Sequence, residues 1–278
     1  MSLFITSLNS GSNGNCYYIG NDTEAVLIDA GLACREVEKR MQLLGLNMNI
    51  VKAIFVTHEH TDHIKGVTTL ANKYSLPVYI TADTAQHGPR LIKHLSRSFI
   101  AHEPVHLGSL AVTGFPKFHD AADPHSFIIT SNDITIGVFT DIGVACQQVN
   151  KYFSLCHAAF LEANYDEELL ENGRYPYYLK NRIRSGKGHL SNVQALEIFT
   201  RHRPSFMTHL LLSHLSKDNN CPELVTQLFN EQAAGIKIII ASRYEPTAIY
   251  KIQKATPEMV LDKRSILSLR LMQLELFP

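Results

Sequence analysis

The sequence predicts an α/β fold in which two β-sheets are covered by helices. Short apolar runs rich in β-branched residues recur along the chain, and segments of helical spacing fill the gaps between them. A strand-rich first half gives way to strand and helix alternation in the second, which fits two covered sheets better than one closed barrel.

In chain order, the predicted strands are Leu3–Ile5, Ala25–Ile28, Ala53–Val56, Val78–Ile80, Phe127–Ile129, Ile136–Phe139, Ala158–Leu161, Met207–Leu212 and Ile236–Ile240. The last two also match a buried helix by periodicity, and their shortness favours strand. Helical spacing marks Glu36–Leu44, Val67–Tyr74, Cys146–Leu155, Tyr177–Arg184, Asn192–Arg201 and Glu223–Gln232. Pro176, Ser191 as an N-cap and Pro222 supply helix-start signals.

The chain has 278 residues, 45% of them hydrophobic, enough to close one sizeable core, and no linker, repeat or low-complexity tract divides it. The expectation is one domain over residues 1–278. Lys plus Arg and Asp plus Glu both total 26, so any polyanion site must be local. The start Met-Ser-Leu-Phe-Ile-Thr-Ser-Leu lacks a secretory pattern and no apolar stretch reaches transmembrane length, so a cytoplasmic protein without membrane association is expected. Cys16, Cys34, Cys146, Cys156 and Cys221 are odd in number and widely spaced, as reduced thiols are. Fourteen histidines direct attention to metal chemistry.

His58-Glu59-His60-Thr61-Asp62-His63 follows directly on a predicted strand. Two histidines two residues apart in an extended segment point their imidazoles to one side, as ligands of one ion must. Asp62 and His63 then face a neighbouring ion as the chain bends toward the helix after Gly66. Imidazoles with a carboxylate suit Zn²⁺ and are tolerable to Mn²⁺ or Fe²⁺, so ligand type does not choose among them. An isolated histidine is usually solvated surface, but three with an aspartate in six residues after a buried strand are not.

His-x-His-x-Asp-His after a strand resembles the metallo-β-lactamase superfamily, and the resemblance covers most of the chain. It implies an αββα sandwich of two mixed sheets flanked by helices. The further ligands it implies are His119, Asp141 and His214, each at a strand-end loop. By that resemblance two divalent ions bind: His58, His60 and His119 hold one, Asp62, His63 and His214 the other, and Asp141 bridges both. Sequence order also permits His189 in place of His214 as the last ligand.

Ser10–Asn15, His119-Asp120-Ala121 with Asp123-Pro124, Thr140–Gly143, Leu161–Asn164, Gly188–Asn192 and His214–Ser216 are similar to one branch, the YycJ/WalJ family. That similarity implies a DNA exonuclease acting from the 5′ end, related in layout to the tRNA 3′-processing nucleases. Tyr165 departs from the histidine expected in many members, which bears on substrate handling if the position touches substrate. Neither a large inserted domain nor a long basic arm is present, so a specialised RNA role is less favoured.

A hydroxide bridging two ions is the expected nucleophile in such a site. Asp62 would orient it, His189 would donate to the phosphate or leaving oxygen, and Glu162 would hold the His189 tautomer. Lys180, Arg182, Arg184 and Lys187 form a candidate phosphate-tracking wall or a solvated helix face, and Asn164 and Ser191 are further candidate DNA contacts. The Ser10–Asn15 loop is either an anion-binding nest or a hairpin turn. A rival reading keeps the metals and hydrolyses a small ester, thioester or lactone; another is a metal-binding scaffold without activity. Nothing in the sequence sets the oligomeric state.

Overall fold

A computed structural model of the chain describes residues 2–254, so the last 24 positions of the expected 1–278 domain lie outside the described residues. In chain order the elements are β1 (Leu3–Asn9), β2 (Cys16–Gly20), β3 (Ala25–Ile28), α1 (Cys34–Leu43), β4 (Val51–Phe55), α2 (Thr61–Ile64), α3 (Val67–Tyr74) and β5 (Val78–Tyr79). They continue as α4 (Ala82–His87), β6 (Ser96–Arg97), β7 (Pro104–Leu107), β8 (Leu110–Pro116), β9 (His125–Ser131), β10 (Ile134–Phe139), α5 (Gln147–Phe153), β11 (Ala158–Glu162) and α6 (Glu167–Asn172). The remainder are α7 (Tyr177–Ile183), α8 (Asn192–His202), β12 (His209–Ser213), α9 (Pro222–Asn230), β13 (Lys237–Ile240) and β14 (Tyr250–Ile252).

Two seven-stranded sheets face each other, in the orders β14-β1-β2-β3-β4-β5-β6 and β13-β12-β11-β10-β9-β8-β7. Both are mixed: β3 to β6 run parallel beyond an antiparallel β14-β1-β2-β3 edge, and β10 to β13 run parallel beyond antiparallel β7 to β10.

The apolar runs are continuous because these strands are covered on both faces, and their alternate residues go to different layers. Val26 and Ile28 enter the core between the sheets with Phe55, Phe127, Val138, Phe160 and Leu211. Ala25 and Leu27 face a second core with Val37 and Met41 of α1 and Leu70 of α3. In the other sheet Ala159, Leu161, Leu210 and Leu212 turn outward onto Val149 of α5, Phe199 of α8 and Phe229 of α9. The layers are therefore helix, sheet, sheet, helix.

Each predicted strand and helix has a counterpart. The Met207–Leu212 run is strand only from His209, where the chain pairs with β11 in parallel register. The elements absent from the sequence reading are β2, β6, β7, β8, β14, α2, α4 and α6, which are short or interrupted by Tyr, Thr, Gly or Pro. All five cysteines are free thiols. Among the described residues no helix is long and apolar enough to cross a membrane.

Candidate metal centre

The site lies at the C-terminal ends of strands from both sheets, where parallel strands release their loops on one edge. His58 and His60 follow β4, Asp141 follows β10, Glu162 ends β11 and His214 follows β12. Asp29, Asp141 and His214 each adopt positive φ, at 61°, 55° and 55°. Asp and His tolerate this left-handed region better than most residues, and it turns Asp141 and His214 toward the common cavity and Asp29 onto the back of His63.

The extended spacing of His58 and His60 brings His58 Nε2 and His60 Nδ1 within 3.0 Å. His119 joins them, its ring centroid 4.9 Å from that of His58 and 5.1 Å from that of His60. Asp62 and His63 lie on α2, whose first turn swings them to the other side of the cavity. There His214 Nε2 is 3.5 Å from Asp62 Oδ2, and His63 Nε2 is 3.1 Å from Asp141 Oδ2. Four groups share members, each with donor atoms within 4.8 Å of one another: His58, His60 and His119; His58, His63 and Asp141; Asp62, His63 and His214; and Asp141, Glu162, His189 and His214. The last keeps His189 within reach of the same centre.

Four of these imidazoles are held from behind by Nδ1, which leaves Nε2 for the cavity. His58 Nδ1 donates to Thr57 Oγ1 (2.9 Å), because that hydroxyl already donates to Asp29 Oδ2 (2.8 Å). His63 Nδ1 donates to Asp29 Oδ2 (2.7 Å), His119 Nδ1 to the Gly188 carbonyl (3.0 Å) and His214 Nδ1 to Glu162 Oε1 (2.9 Å). Inside the cavity His119 Nε2 and His214 Nε2 are buried without a hydrogen-bond partner among the described residues, and Asp141 Oδ2 faces only His63 Nε2. Buried polar atoms are seldom left so, and each of these belongs to a ligand group where a cation would satisfy it.

The electrostatics agree. Burial pushes the His119 imidazole down to about 4 and that of His58 well below its usual range, favouring the neutral form that ligates metals. Burial also opposes protonation of His214, but Asp141, Asp62 and Glu162 outweigh it and raise the imidazole to about 10. The carboxylates thus attract positive charge into a desolvated space. These His/Asp clusters fit divalent metal binding.

At the rim, Glu162 serves two imidazoles at once. Its Oε1 accepts from His189 Nδ1 at 2.8 Å as well as from His214, while Oε2 accepts the Ile142 amide at 2.7 Å. Burial opposes ionisation of Glu162, but His189 and His214 hold its carboxyl down at about 2. His189 is the more open of the two imidazoles, its side chain 20% exposed against 4% for His214.

Residues 10–141 match the metallo-beta-lactamase superfamily. The chain is 36% identical over 244 residues to the exodeoxyribonuclease YycJ of Bacillus anthracis, covering 85% of this chain and 92% of that protein. The chain belongs to the YycJ/WalJ family of metallo-β-lactamase hydrolases. Identity to the exodeoxyribonuclease WalJ of Streptococcus pneumoniae serotype 2 is 31% over 233 residues, covering 82% of this chain and 87% of WalJ. The fold is also that of the metallo-β-lactamase fold protein YhfI from Bacillus subtilis, with a TM-score of 0.68 at 18% identity, covering 90% of this chain and 99% of that one.

All seven ligand positions expected from the metallo-β-lactamase resemblance come together in this cavity, with Glu162 and His189 beside them. The outer candidates fare differently. Asn164 is buried behind His214, where Nδ2 donates to the His214 carbonyl at 2.8 Å. Ser191 is fully buried as the cap of α8, accepting from the Gln194 amide and donating to Glu167. Both therefore support the site's frame and offer no surface to DNA. Arg182 is paired with Asp120 (2.5 Å), Arg184 with Glu171 (2.9 Å), and Lys180 with the Glu171 carbonyl. Of the expected wall Lys180 and Lys187 have no carboxylate in ion-pair range among the described residues, and Lys187 is exposed in a loop whose backbone packs on Gly143.

Tyr165 is buried and its backbone bridges to Ser191, which makes it part of the frame. His125 is held by the Asp123 carbonyl and belongs to none of the ligand groups. The Ser10–Asn15 loop is the β1–β2 hairpin connection. Its Asn15 reaches the centre, with Nδ2 3.2 Å from Asp62 Oδ2 and 3.0 Å from His63 Nε2. Sequence reasoning missed Asn15, Asp29 and Thr57. The signal for Asp29 was an acid directly after the Ala25–Ile28 run.

Proposed function

We propose that this chain is a single-domain, cytoplasmic DNA exonuclease that works from the 5′ end of a strand and uses two divalent cations, Zn²⁺ or Mn²⁺ before Fe²⁺. His58, His60 and His119 would hold one ion, Asp62, His63 and His214 the other, with Asp141 shared. Two cations there would acidify a shared water and neutralise phosphoryl oxygens. The observation that carries the reading is the interlocking ligand groups with the Glu162–His189 pair opening beside them. The names of YycJ and WalJ, both exodeoxyribonucleases, support DNA as the substrate.

The remaining work falls to side chains of the protein. Asp62, partly open to the cavity and steadied by Asn15, accepts a hydrogen bond from the attacking water and aims it. His189 gives its Nδ1 proton to Glu162 as a hydrogen bond, so Nε2 is the atom that meets substrate. The buried Glu162 carboxylate stabilises the imidazolium, which donates from Nε2 to the scissile phosphate or to the leaving oxygen. His214 shares Glu162 but sits deeper, its Nε2 toward Asp62, which supports metal binding over proton transfer.

The test is to incubate the purified protein with 5′- and 3′-labelled DNA, RNA, a generic phosphodiester and a thioester, with and without Mn²⁺ or Zn²⁺. Metal-dependent loss from the DNA 5′ end is expected. Thioester turnover without DNA cleavage would overturn the reading.

A further inference from the structure

Three successive parallel strands of one sheet, β10, β11 and β12, lead to Asp141, Glu162 and His214 at their C-terminal ends. The fourth, β13, runs parallel to β12 and ends on the same edge, but its loop Ala241–Tyr244 carries a cation and an aromatic ring in place of a ligand. Between this loop and the one that follows His214 lies a hollow of about 290 Å³, lined by Ser10, Leu215, Lys217, Ile240, Arg243 and Tyr244 among others. Its wall is tied to the metal centre through the His214 loop, because Ser10 Oγ accepts the His214 amide at 2.7 Å and Leu215 is the next residue. A second hollow continues past Lys217 toward Arg174, Tyr175 and Asp218.

The Arg243 loop is held in place. Ser10 donates its amide to the Ser242 carbonyl (3.1 Å), Asn13 Nδ2 donates to the Arg243 carbonyl (2.8 Å) and the buried Arg40 donates to the Tyr244 carbonyl (2.8 Å). Arg243 Nη2 reaches Ser12 Oγ at 3.2 Å, whereas Nη1 is out of solvent without a hydrogen-bond partner among the described residues. A desolvated guanidinium donor left open is costly, and a phosphate oxygen is an acceptor that matches it. Among the described residues Lys217, Arg243 and Arg174 have no carboxylate in ion-pair range, unlike Arg182 and Arg184. Asp218, the one acid lining the second hollow, accepts from Tyr175 Oη. Tyr244 is 72% exposed, an open ring face at the hollow's edge.

We infer that the hollow between Leu215 and Arg243 is a nucleotide subsite for a single-stranded stretch of DNA next to the scissile bond, Arg243 and Lys217 holding a phosphate and Tyr244 stacking a base. This rests on the nuclease reading above. The strand then leaves along Lys217 toward Arg174, away from the paired cations of α7. Phosphate contacts with an aromatic platform are the combination that single strands require, and they need no net charge on the whole protein.

The experiment is a fluorescence anisotropy titration of a labelled single-stranded oligonucleotide with phosphorothioate linkages, in Mn²⁺, across a range of salt. The parent, Lys217→Gln/Arg243→Gln and Tyr244→Ala are compared. The double variant should bind at least tenfold more weakly, with a log K against log salt slope shallower by about 0.7 for each phosphate contact removed. Tyr244→Ala should weaken binding about fivefold or more at every salt concentration, since stacking carries no counterion release. Lys217→Arg/Arg243→Lys keeps the charges and should recover most of the affinity, which separates phosphate binding from misfolding. Unchanged affinity and slope in the double variant, with a parent that binds firmly, overturn the subsite and leave the nuclease reading intact. No recovery by the charge-conserving variant also overturns it. A parent that fails to bind at low salt removes the nuclease reading, and the subsite with it.

Discussion

The floor and the rim of this site use the same kinds of side chain to different ends. On the floor, histidines and carboxylates are desolvated, and nearly every outward atom is tied: Asp29 alone fixes the Thr57 amide, the Thr57 hydroxyl and His63. At the rim, Lys187, Lys217 and Tyr244 are exposed, and Arg182 and Arg184 spend their charge on neighbouring acids. Burial makes a charged group depend on its partners, whereas exposed pairs are screened by water and salt. The floor should therefore respond steeply to single substitutions and the rim shallowly.

The sharpest break in that comparison is between His214 and His189, which share one carboxylate oxygen. His214→Ala should lose one metal equivalent by elemental analysis. His189→Ala should keep both and lose turnover by roughly 10²–10⁴-fold, the usual worth of a positioned acid or base. Reversed metal contents would exchange their assignments.

Asp29→Asn tests whether the floor depends on atoms that touch no substrate. Removing the carboxylate behind His63 and Thr57 should weaken metal binding by about 10–100-fold in a chelator competition. An unchanged affinity would mean that packing alone orients these rings.

Gly31→Ala probes the backbone beneath the ligands. A Cβ there would lie 1.6 Å from the Asp62 carbonyl oxygen, a backbone atom of α2 that also accepts the Asn15 amide at 2.7 Å. Overpacking of this kind costs about 1–3 kcal/mol or more, read as a lower denaturation midpoint at unchanged slope.

The smallest effect is expected at the rim. Arg182→Gln/Arg184→Gln removes two exposed ion pairs and should change stability by less than about 1 kcal/mol per pair. Its effect on DNA affinity should be smaller than that of Lys217→Gln/Arg243→Gln. A larger loss would return the phosphate track to α7.

Much of the fold was legible because doubly covered strands leave unbroken apolar runs such as Ala25–Ile28 and Ala158–Leu161. Strands such as β8, with Thr113 and Gly114 inside it, carry no such run and were missed. The α7 cations stood out because they cluster in sequence. Their partners Asp120 and Glu171 are distant or on another element, so their neutralisation did not.

By itself the sequence determined the ligands that sit close together along the chain. His58, His60, Asp62 and His63 are set by the geometry of one strand end and one helical turn, which local spacing encodes. Tertiary structure decided what holds them and what lies beside them. Glu162 faces His214 because β11 and β12 align Glu162 with Ser213, and Asp29 reaches Thr57 because β3 and β4 align Ile28 with Phe55. Those meetings depend on the register of strands 27 to 51 residues apart, and register is a property of the assembled sheets that no short stretch of sequence carries.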